Sequence, residues 1–572
     1  MASHTEQFDY VIVGAGSAGC VLANRLSEDP LCHVALVEAG GSDRSLYVDI
    51  PSGFWLLRSD PKFDWGYTTL PEPELKGRRM LTPRGRALGG SSTINGQMYI
   101  RGHPLDFDNW VAMGAAGWSY AEVLPYFKRS ESFDKGGDDY RGDSGPLKTC
   151  RASLGNPLYR TFLAAAEEAG YARTADLNGY HQDGFGTSNM TASQSRRCSA
   201  AHAYLHPIRS RSNLRVMSQT TVQRIVLRGN RAVGITGFRH GQSVSLEARR
   251  EVISSAGAVN SPKLLMLSGI GPGAQLQSRG IPVRIDLAGV GLNLMDHISV
   301  RVQHHCLQPV SRQPALQPAN RLAAGLRWLL FKSGVAASNQ FEASGYMHSR
   351  PGMTSPDIQL DFVPFALTTS GEPETMAHGF QTFASVTRPL SRGFVRLNSA
   401  NVTAKPDIQC NYLARKEDRD VLCSAIRLLR EIHDQPAFDP YRGAETRPGR
   451  NVKNDDELED YIRDTANTVY HLCGTCRMGT GADAVVDAQG RLHGLEGLRI
   501  VDASLMPQIT TANTNAATIM IAEKIADAIL GKTPLPVADV PYHQMPEWQS
   551  SQRPRAPLRS AQASDRYLES QR

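Results

Sequence analysis

The sequence predicts an α/β fold, and three features of its first forty residues carry that expectation. Phe8-Asp9-Tyr10-Val11-Ile12-Val13 is short, apolar and β-prone. It runs directly into Gly14-Ala15-Gly16-Ser17-Ala18-Gly19 and then into a helix-prone stretch at 20–26. A second apolar run at 34–37 ends in Glu38, and 38 − 19 = 19 residues separate that carboxylate from the last glycine. Strand, glycine turn, helix, strand and acid in this order make a dinucleotide cradle. Gly14 allows the tight turn, Gly16 lets the backbone approach a pyrophosphate, and Gly19 permits close helix packing. The free N–H groups at the helix start, around Ser17 and Ala18, meet the anion. Glu38, with Ala39 beside it, stands where a ribose hydroxyl is held. FAD and NAD share this arrangement, so the unit alone leaves the cofactor open.

Length and composition set the outer limits. A chain of 572 residues can bury one large core or two that share a cofactor. With 41% apolar and 21% charged residues it reads as a folded globular protein. The 62 basic and 56 acidic residues leave a net charge of +6, which argues against nucleic acid as a partner. No apolar run approaches the roughly 18 residues of a transmembrane segment, although a peripheral membrane contact stays open. Residues 1–7 lead straight into the first strand without a charged lead, apolar stretch and cleavage site, so the expected address is the cytoplasm, at most peripheral to the inner membrane. Nine cysteines, an odd number without framework spacing, suit reduced thiols.

Further along, Gly85-Arg86-Ala87-Leu88-Gly89-Gly90-Ser91-Ser92-Thr93-Ile94-Asn95-Gly96 resembles the first signature of the glucose/methanol/choline (GMC) family of FAD-dependent oxidoreductases. The stretch from Gly257-Ala258-Val259-Asn260-Ser261-Pro262 to Leu267-Ser268-Gly269-Ile270-Gly271-Pro272 is similar to its second. His471-Leu472-Cys473-Gly474-Thr475-Cys476-Arg477-Met478-Gly479, Asp502-Ala503-Ser504-Leu505-Met506-Pro507 and Asn513-Thr514-Asn515-Ala516-Ala517-Thr518 complete the set. The resemblance spans residues 10–530 and is strongest to the choline-dehydrogenase-like alcohol dehydrogenase branch.

That resemblance implies a Rossmann-like FAD-binding domain assembled from discontinuous segments, and an α+β substrate domain with an antiparallel sheet. The FAD-binding domain takes residues 1–155, 201–300 and, with the catalytic pair, 466–532. The substrate domain takes an insert at 156–200 and the block 301–465, and 533–572 forms a polar C-terminal tail, mobile toward its end. Segments 221–227, 251–254 and 498–501 are expected to rejoin the sheet begun at Phe8. The β-prone pieces 357–363, 380–386 and 393–397, backed by a helix at 418–433, are expected to form the antiparallel sheet. Residues 309–318 read as an exposed excursion.

Oxidising an alcohol at a flavin requires a base for the hydroxyl proton, a donor for the oxygen and an acceptor for the hydride. His471 is the expected base, since histidine titrates near neutral pH and the family's matching residue has this role. Asn515, 515 − 471 = 44 residues on, is the expected donor. The structural alternative is that Asn513 or Asn515 caps the helix running from about 518 to 530. That helix start, with Asn513 among the cofactor contacts, would stabilise charge on the reduced ring. The resemblance further places Asn95 and Gly96 against the isoalloxazine, Val222 at adenine and Asp502 at the ribityl and pyrophosphate region, with Gly90, Ser91, Met98 and Ala503 also among the cofactor-binding residues. Some relatives attach FAD through a histidine where this chain has Ile94, so FAD is expected to be non-covalent. Cys473 and Cys476 have no second pair to complete a zinc site, no metal is expected, and they read as small residues packed under His471.

Glu342 falls where choline-oxidising relatives place a carboxylate, the alternative being that it holds its loop together, as similar segments occur in relatives acting on aliphatic or furanic alcohols; Tyr470 offers an aromatic wall. The expected reaction is oxidation of a primary alcohol to an aldehyde, with electrons passing to a quinone, another respiratory carrier or O2. Choline oxidation, an oxidase releasing hydrogen peroxide, and a hydroxynitrile lyase that keeps FAD are the alternatives.

Overall fold

A computed structural model describes residues 6–555 of the chain. Its first strand, Glu6–Val13, is buried on both faces from Phe8 onward, as a central parallel strand must be. It lies between Val34–Val37 and the long strand Gln242–Ser254, parallel to both. Leu214–Met217 extends the parallel set on one side and Leu498–Ile500 on the other. Arg231–Arg239 then attaches antiparallel to the first half of Gln242–Ser254, and Thr220–Arg228 antiparallel to Arg231–Arg239, giving a seven-stranded sheet. The helices Ser17–Leu26 and Thr514–Ile529 pack on each other and bury most of their side chains. Their one buried carboxylate cluster is satisfied: Glu523 pairs with Arg25 and Arg129, each at 2.9 Å.

A second seven-stranded sheet is antiparallel throughout. Its order runs Arg442–Arg447, Ile298–Cys306, Gly379–Val386, Ile358–Val363, Ala343–Met347 and Gly184–Thr187, with Asn467–Thr468 also pairing with Ile298–Cys306. One face carries the helices Lys416–His433 and Pro157–Glu168 over an apolar core, and the other turns toward the first sheet.

Segments 221–227, 251–254 and 498–501 lie on the first sheet, and 357–363 and 380–386 are neighbours in the second. Two expectations are corrected. Residues 393–397 do not join the second sheet. Gly393 exchanges backbone hydrogen bonds with Leu294, and Phe394–Arg396 makes a two-stranded ribbon with Asp407–Gln409. Residues 309–318 are not wholly exposed, because Gln313 is buried, accepts from the Ala366 N–H at 2.7 Å and donates to the Glu374 carbonyl at 2.9 Å. Residues 533–555 run along the body, with Ala538 N–H donating to the Ala121 carbonyl, His543 N–H to Tyr180 and Gly352 N–H to Trp548. The readings made on residues 1–5 and on the tail beyond 555, Arg559 included, lie outside the described residues. All nine cysteines are free thiols, and Cys473 and Cys476 are fully buried. Among the described residues no helix is long and apolar enough to cross a membrane.

Candidate active site

The two sheets meet along a cavity of about 400 Å³. At one end its wall is Gly14, Gly16, Ser17, Ala18, Glu38 and Ala39, with Thr221 and Val222 across from them. Gly14 sits at φ +100°, and a Cβ there would come within 2.5 Å of the Ser255 carbonyl oxygen. Gly19 lies behind the wall, packed on the Gly14 carbonyl so closely that no side chain fits. The helix Ser17–Leu26 starts at Gly16 without a side-chain cap, which leaves its first N–H groups for an anion. The Glu38 carboxylate accepts from Ala15 N–H at 2.9 Å and from Gly40 N–H at 2.7 Å. Burial pushes it up to about 7, against the pull of those two amides and Arg86.

Midway along, Gly90, Ser91, Asn95, Gly96 and Met98 form one wall and Asp502, Ala503 and Asn515 the other. Asp502 ties this wall together, accepting from Gly257 N–H at 2.9 Å, Ser261 Oγ at 2.6 Å and Ser504 N–H at 2.8 Å. Asn95 Oδ1 accepts from Arg197 at 2.8 Å, and the Gly96 carbonyl accepts from Asn339 at 2.8 Å.

His471 stands at the junction of both sheets. Its backbone N–H donates to Asp296 Oδ1 at 2.6 Å, and Asp296 Oδ2 accepts from Tyr412 at 2.5 Å and from Thr468. Tyr470, just before it, holds the left-handed conformation at φ +68°, a strain of about 1–3 kcal/mol in a residue with a side chain. The Tyr470 carbonyl accepts from Arg84 at 2.6 Å and its N–H donates to Thr468 Oγ1 at 2.8 Å, which fixes the turn. The imidazole of His471 is bracketed on both nitrogens. His297 Nε2 lies 3.0 Å from the Thr387 carbonyl oxygen, an acceptor only, so that nitrogen carries the proton and His297 Nδ1 is bare. The 2.9 Å contact between His297 Nδ1 and His471 Nδ1 then requires the proton on His471 Nδ1. His471 Nε2 is left with its lone pair, 3.1 Å from Asn513 Nδ2. Burial holds His297 down to about 4, and burial, then His297 and Arg84, holds His471 well below the usual histidine range. Both rings are therefore neutral at pH 7.

Two expected site residues are placed elsewhere. The neighbour of His471 is Asn513 and not Asn515. Asn515 lies one position inside the helix Thr514–Ile529, where its Oδ1 accepts from Ser17 Oγ at 2.8 Å. Asn513 is the residue at the helix cap, yet its side chain caps nothing and turns to the imidazole. Glu342 is absent from the cavity wall. It is buried and accepts from Arg312 at 3.0 Å, Ser338 Oγ at 2.8 Å and Gly155 N–H at 3.1 Å, so its charge is used in holding strands and loops together. Tyr470 does line the cavity. Beyond it the far end is walled by Phe54, Trp55, Phe341 and Phe383, with Arg58, Arg301 and Asp361 among them. His297, Arg301 and Asp361 carry no local sequence signal that would have singled them out.

The lining fits FAD. Gly90 is at φ +53° and a Cβ on it would come within 2.6 Å of Gly16 Cα, so the two glycine-rich turns abut and leave a groove bare of side chains. Ser255 Oγ and Asn513 Oδ1 line the cavity as buried oxygens without a protein partner, as expected where a bound group supplies one. A long dinucleotide groove ending at a neutral histidine whose lone pair faces an asparagine amide, under an aromatic antiparallel sheet, defines the class: an FAD-dependent oxidoreductase acting on alcohols. Family models described as GMC oxidoreductase match residues 8–299 and 389–522, and the chain belongs to the GMC oxidoreductase family. An oxygen-dependent choline dehydrogenase of Chromohalobacter salexigens is 47% identical over 546 residues, 95% of this chain and 98% of that one. A protein of the same name from Brucella anthropi is 46% identical over 548 residues, 95% of this chain and all of that one. Among solved structures, pyridoxine 4-oxidase from Mesorbium loti superposes with a TM-score of 0.85 at 32% identity, over 92% of this chain and 100% of that one. An Aspergillus oryzae formate oxidase does so at 0.86 and 27% identity, over 93% and 99%.

Proposed function

We propose that the chain oxidises a primary alcohol to the aldehyde with His471 as the base, and the observation that carries this is the unprotonated His471 Nε2, which accepts from Asn513 Nδ2 at the cavity wall. FAD, when bound, supplies the hydride acceptor. Gly14, Gly16, Ser17, Ala18, Glu38 and Val222 would hold its adenosine and pyrophosphate, and Gly90 to Met98, Asp502 and Asn515 its flavin half. With Ile94 in the wall the binding is non-covalent. The alcohol oxygen sits between Asn513 Nδ2, which donates to it, and His471 Nε2, which takes its proton. Asn513 has no basic group of its own, so the pair contains a single base. His297 keeps that base in the correct tautomer through Nδ1, as a positioned general base contributes about 10²–10⁴-fold only when its lone pair faces the substrate.

Choline is the second reading of the substrate, favoured by the names of the relatives at 45–47% identity. The test is anaerobic stopped-flow absorbance of the holoenzyme mixed with choline, benzyl alcohol and hydroxymethylfurfural, followed by admission of air. Bleaching of the flavin band by an alcohol supports the reading and ranks the substrates. The rate of reoxidation in air separates O2 from a quinone or other carrier as the electron acceptor. Intact flavin colour with every alcohol would overturn it in favour of a non-redox use of FAD.

A further inference from the structure

The far end of the cavity holds an unusual combination of charges. Arg301, on the strand Ile298–Cys306, faces Phe383 across the register, and Phe383 in turn faces Asp361 on Ile358–Val363. Residues directly opposite in antiparallel strands point to the same face, so cation, ring and carboxylate form one row on the cavity side of the sheet. Arg301 is 5% exposed. Its Nη1 donates to the carbonyls of Leu367 and Thr368, at 3.1 and 2.8 Å. Among the described residues, no carboxylate forms an ion pair with it. Glu374, a carboxylate whose charge reaches Arg301, is itself paired with Arg447 at 2.7 Å. A buried guanidinium without a counter-ion is costly, because desolvation of an unpaired charge runs to several kcal/mol. Arg58 adds a second unpaired cation to the same lobe, with one weak bond to the Gly371 carbonyl at 3.4 Å.

The other charged groups facing this lobe do not cancel them. Asp361 is held by Ser344 Oγ at 2.6 Å and by Gln359, one strand beyond Phe383, and burial pushes it up to about 6. Arg84 lies beneath, bonded to the Tyr470 carbonyl. Glu38 and Asp502 belong to the dinucleotide end of the cavity. Two of the aromatic faces that would draw a quaternary ammonium, those of Trp55 and Phe383, already carry guanidinium groups. Arg58 Cζ lies 4.9 Å from the centre of the Trp55 ring, and Arg301 Cζ lies 5.6 Å from that of Phe383. A trimethylammonium entering here meets two like charges, each seated over one of the rings.

We propose that Arg301 is the anchor for an anionic group on the substrate, so that the enzyme's preferred alcohols have an apolar or aryl body with a carboxylate at the end away from the carbinol. Resting on the alcohol-oxidation reading above, it names the substrate class of that site. The carboxylate completes the bonding of the free edge of Arg301, the body lies among Phe341, Phe383 and Trp55, and the carbinol reaches His471. A planar guanidinium matches a carboxylate in a two-point contact that a lysine does not reproduce.

The test separates binding from turnover. Titration of the holoenzyme with 4-methylbenzoate and with 4-methylbenzamide, neither of them an alcohol, is read by the change in flavin absorbance. The benzoate is expected to bind at least about ten-fold tighter, a difference of about 1.4 kcal/mol. Arg301→Gln is expected to remove that preference while leaving the benzamide affinity unchanged, and Arg301→Lys to retain a part of it. In turnover, 4-(hydroxymethyl)benzoate is expected to exceed benzyl alcohol in kcat/KM through KM, with kcat little changed. Equal affinities in the wild-type protein, or a preference that survives in Arg301→Gln, would overturn the assignment; the wild-type comparison decides it even if the variants fail to fold. Bleaching by benzyl alcohol together with equal affinities rejects the anion site and keeps alcohol oxidation. Tight benzoate binding without bleaching by any alcohol keeps the anion site and rejects the oxidation reading.

Discussion

The two ends of the cavity differ in how far apart along the chain their walls originate. At the dinucleotide end, the stretch from Gly14 to Glu38 provides turn, helix start and acid, all held by local backbone bonds such as those from Ala15 and Gly40 to Glu38. At the substrate end, Arg301, Phe341, Asp361, Phe383 and Tyr470 come from five segments, three of them placed together by strand register and two by loops beside the strands. A local motif therefore fixes the cofactor class, while substrate choice depends on which residues of distant strands fall opposite one another. His471 sits between the two regimes, bonded through Asp296 and His297 to one strand start and through Asn513 to the cap of the cradle's second helix.

Replacing His471 by Ala tests the junction itself. It is expected to lower the rate of flavin reduction by about 10²–10⁴-fold, with FAD still bound, because the cradle does not depend on the imidazole. Loss of FAD together with activity would mean that the two ends are not separable. Glu342→Gln sharpens the comparison from the substrate side. With the partly buried Arg312 left without its carboxylate, unfolding is expected to become easier by about 1–3 kcal/mol, read by thermal or urea denaturation. The ratio of KM for choline to KM for a neutral alcohol is expected to stay constant, and a selective rise for choline would return Glu342 to the substrate site.

His297→Phe removes the acceptor for His471 Nδ1–H. The expected loss is about 1–3 kcal/mol of transition-state stabilisation, roughly 5- to 100-fold in kcat, with KM little changed. His297→Asn, whose carbonyl can accept, should recover a part of it. The smallest expected effect is that of pH. Because His471 is held well below the usual histidine range, its neutral, proton-accepting form prevails through pH 6.5 and above. The rate of flavin reduction should be flat there and fall only when acid protonates Nε2. A profile centred near 6.5 would show an imidazole open to water.

Much of the cradle was legible from residues alone, since spacing between glycines and an acid is set by the reach of one turn and one helix. The limits appeared one residue at a time. In sequence Asn515 reads as the donor and Asn513 as a cap or cofactor contact, and the helix phase reverses them: Asn515, one position past the first helical residue, points back to Ser17, whereas Asn513 at the cap faces His471. Glu342 looked like a substrate ligand because a carboxylate in a polar loop gives no sign of the Arg312 that neutralises it from across the sheet. His297 lies 471 − 297 = 174 residues from its partner, and no local pattern marks it. Arg301 is one arginine among many until strand pairing sets it against Phe383 and away from any acid.

The most direct test of the account is the rate of anaerobic flavin reduction by benzyl alcohol in Asn513→Ala and Asn515→Ala, compared with the wild-type protein and with FAD content measured in each. The account predicts that Asn513→Ala keeps its FAD and reduces it far more slowly, while Asn515→Ala, having lost its bond to Ser17, shows weaker FAD retention and a reduction rate near that of the wild type in the molecules that remain loaded. A slow Asn515→Ala beside an unimpaired Asn513→Ala would contradict it.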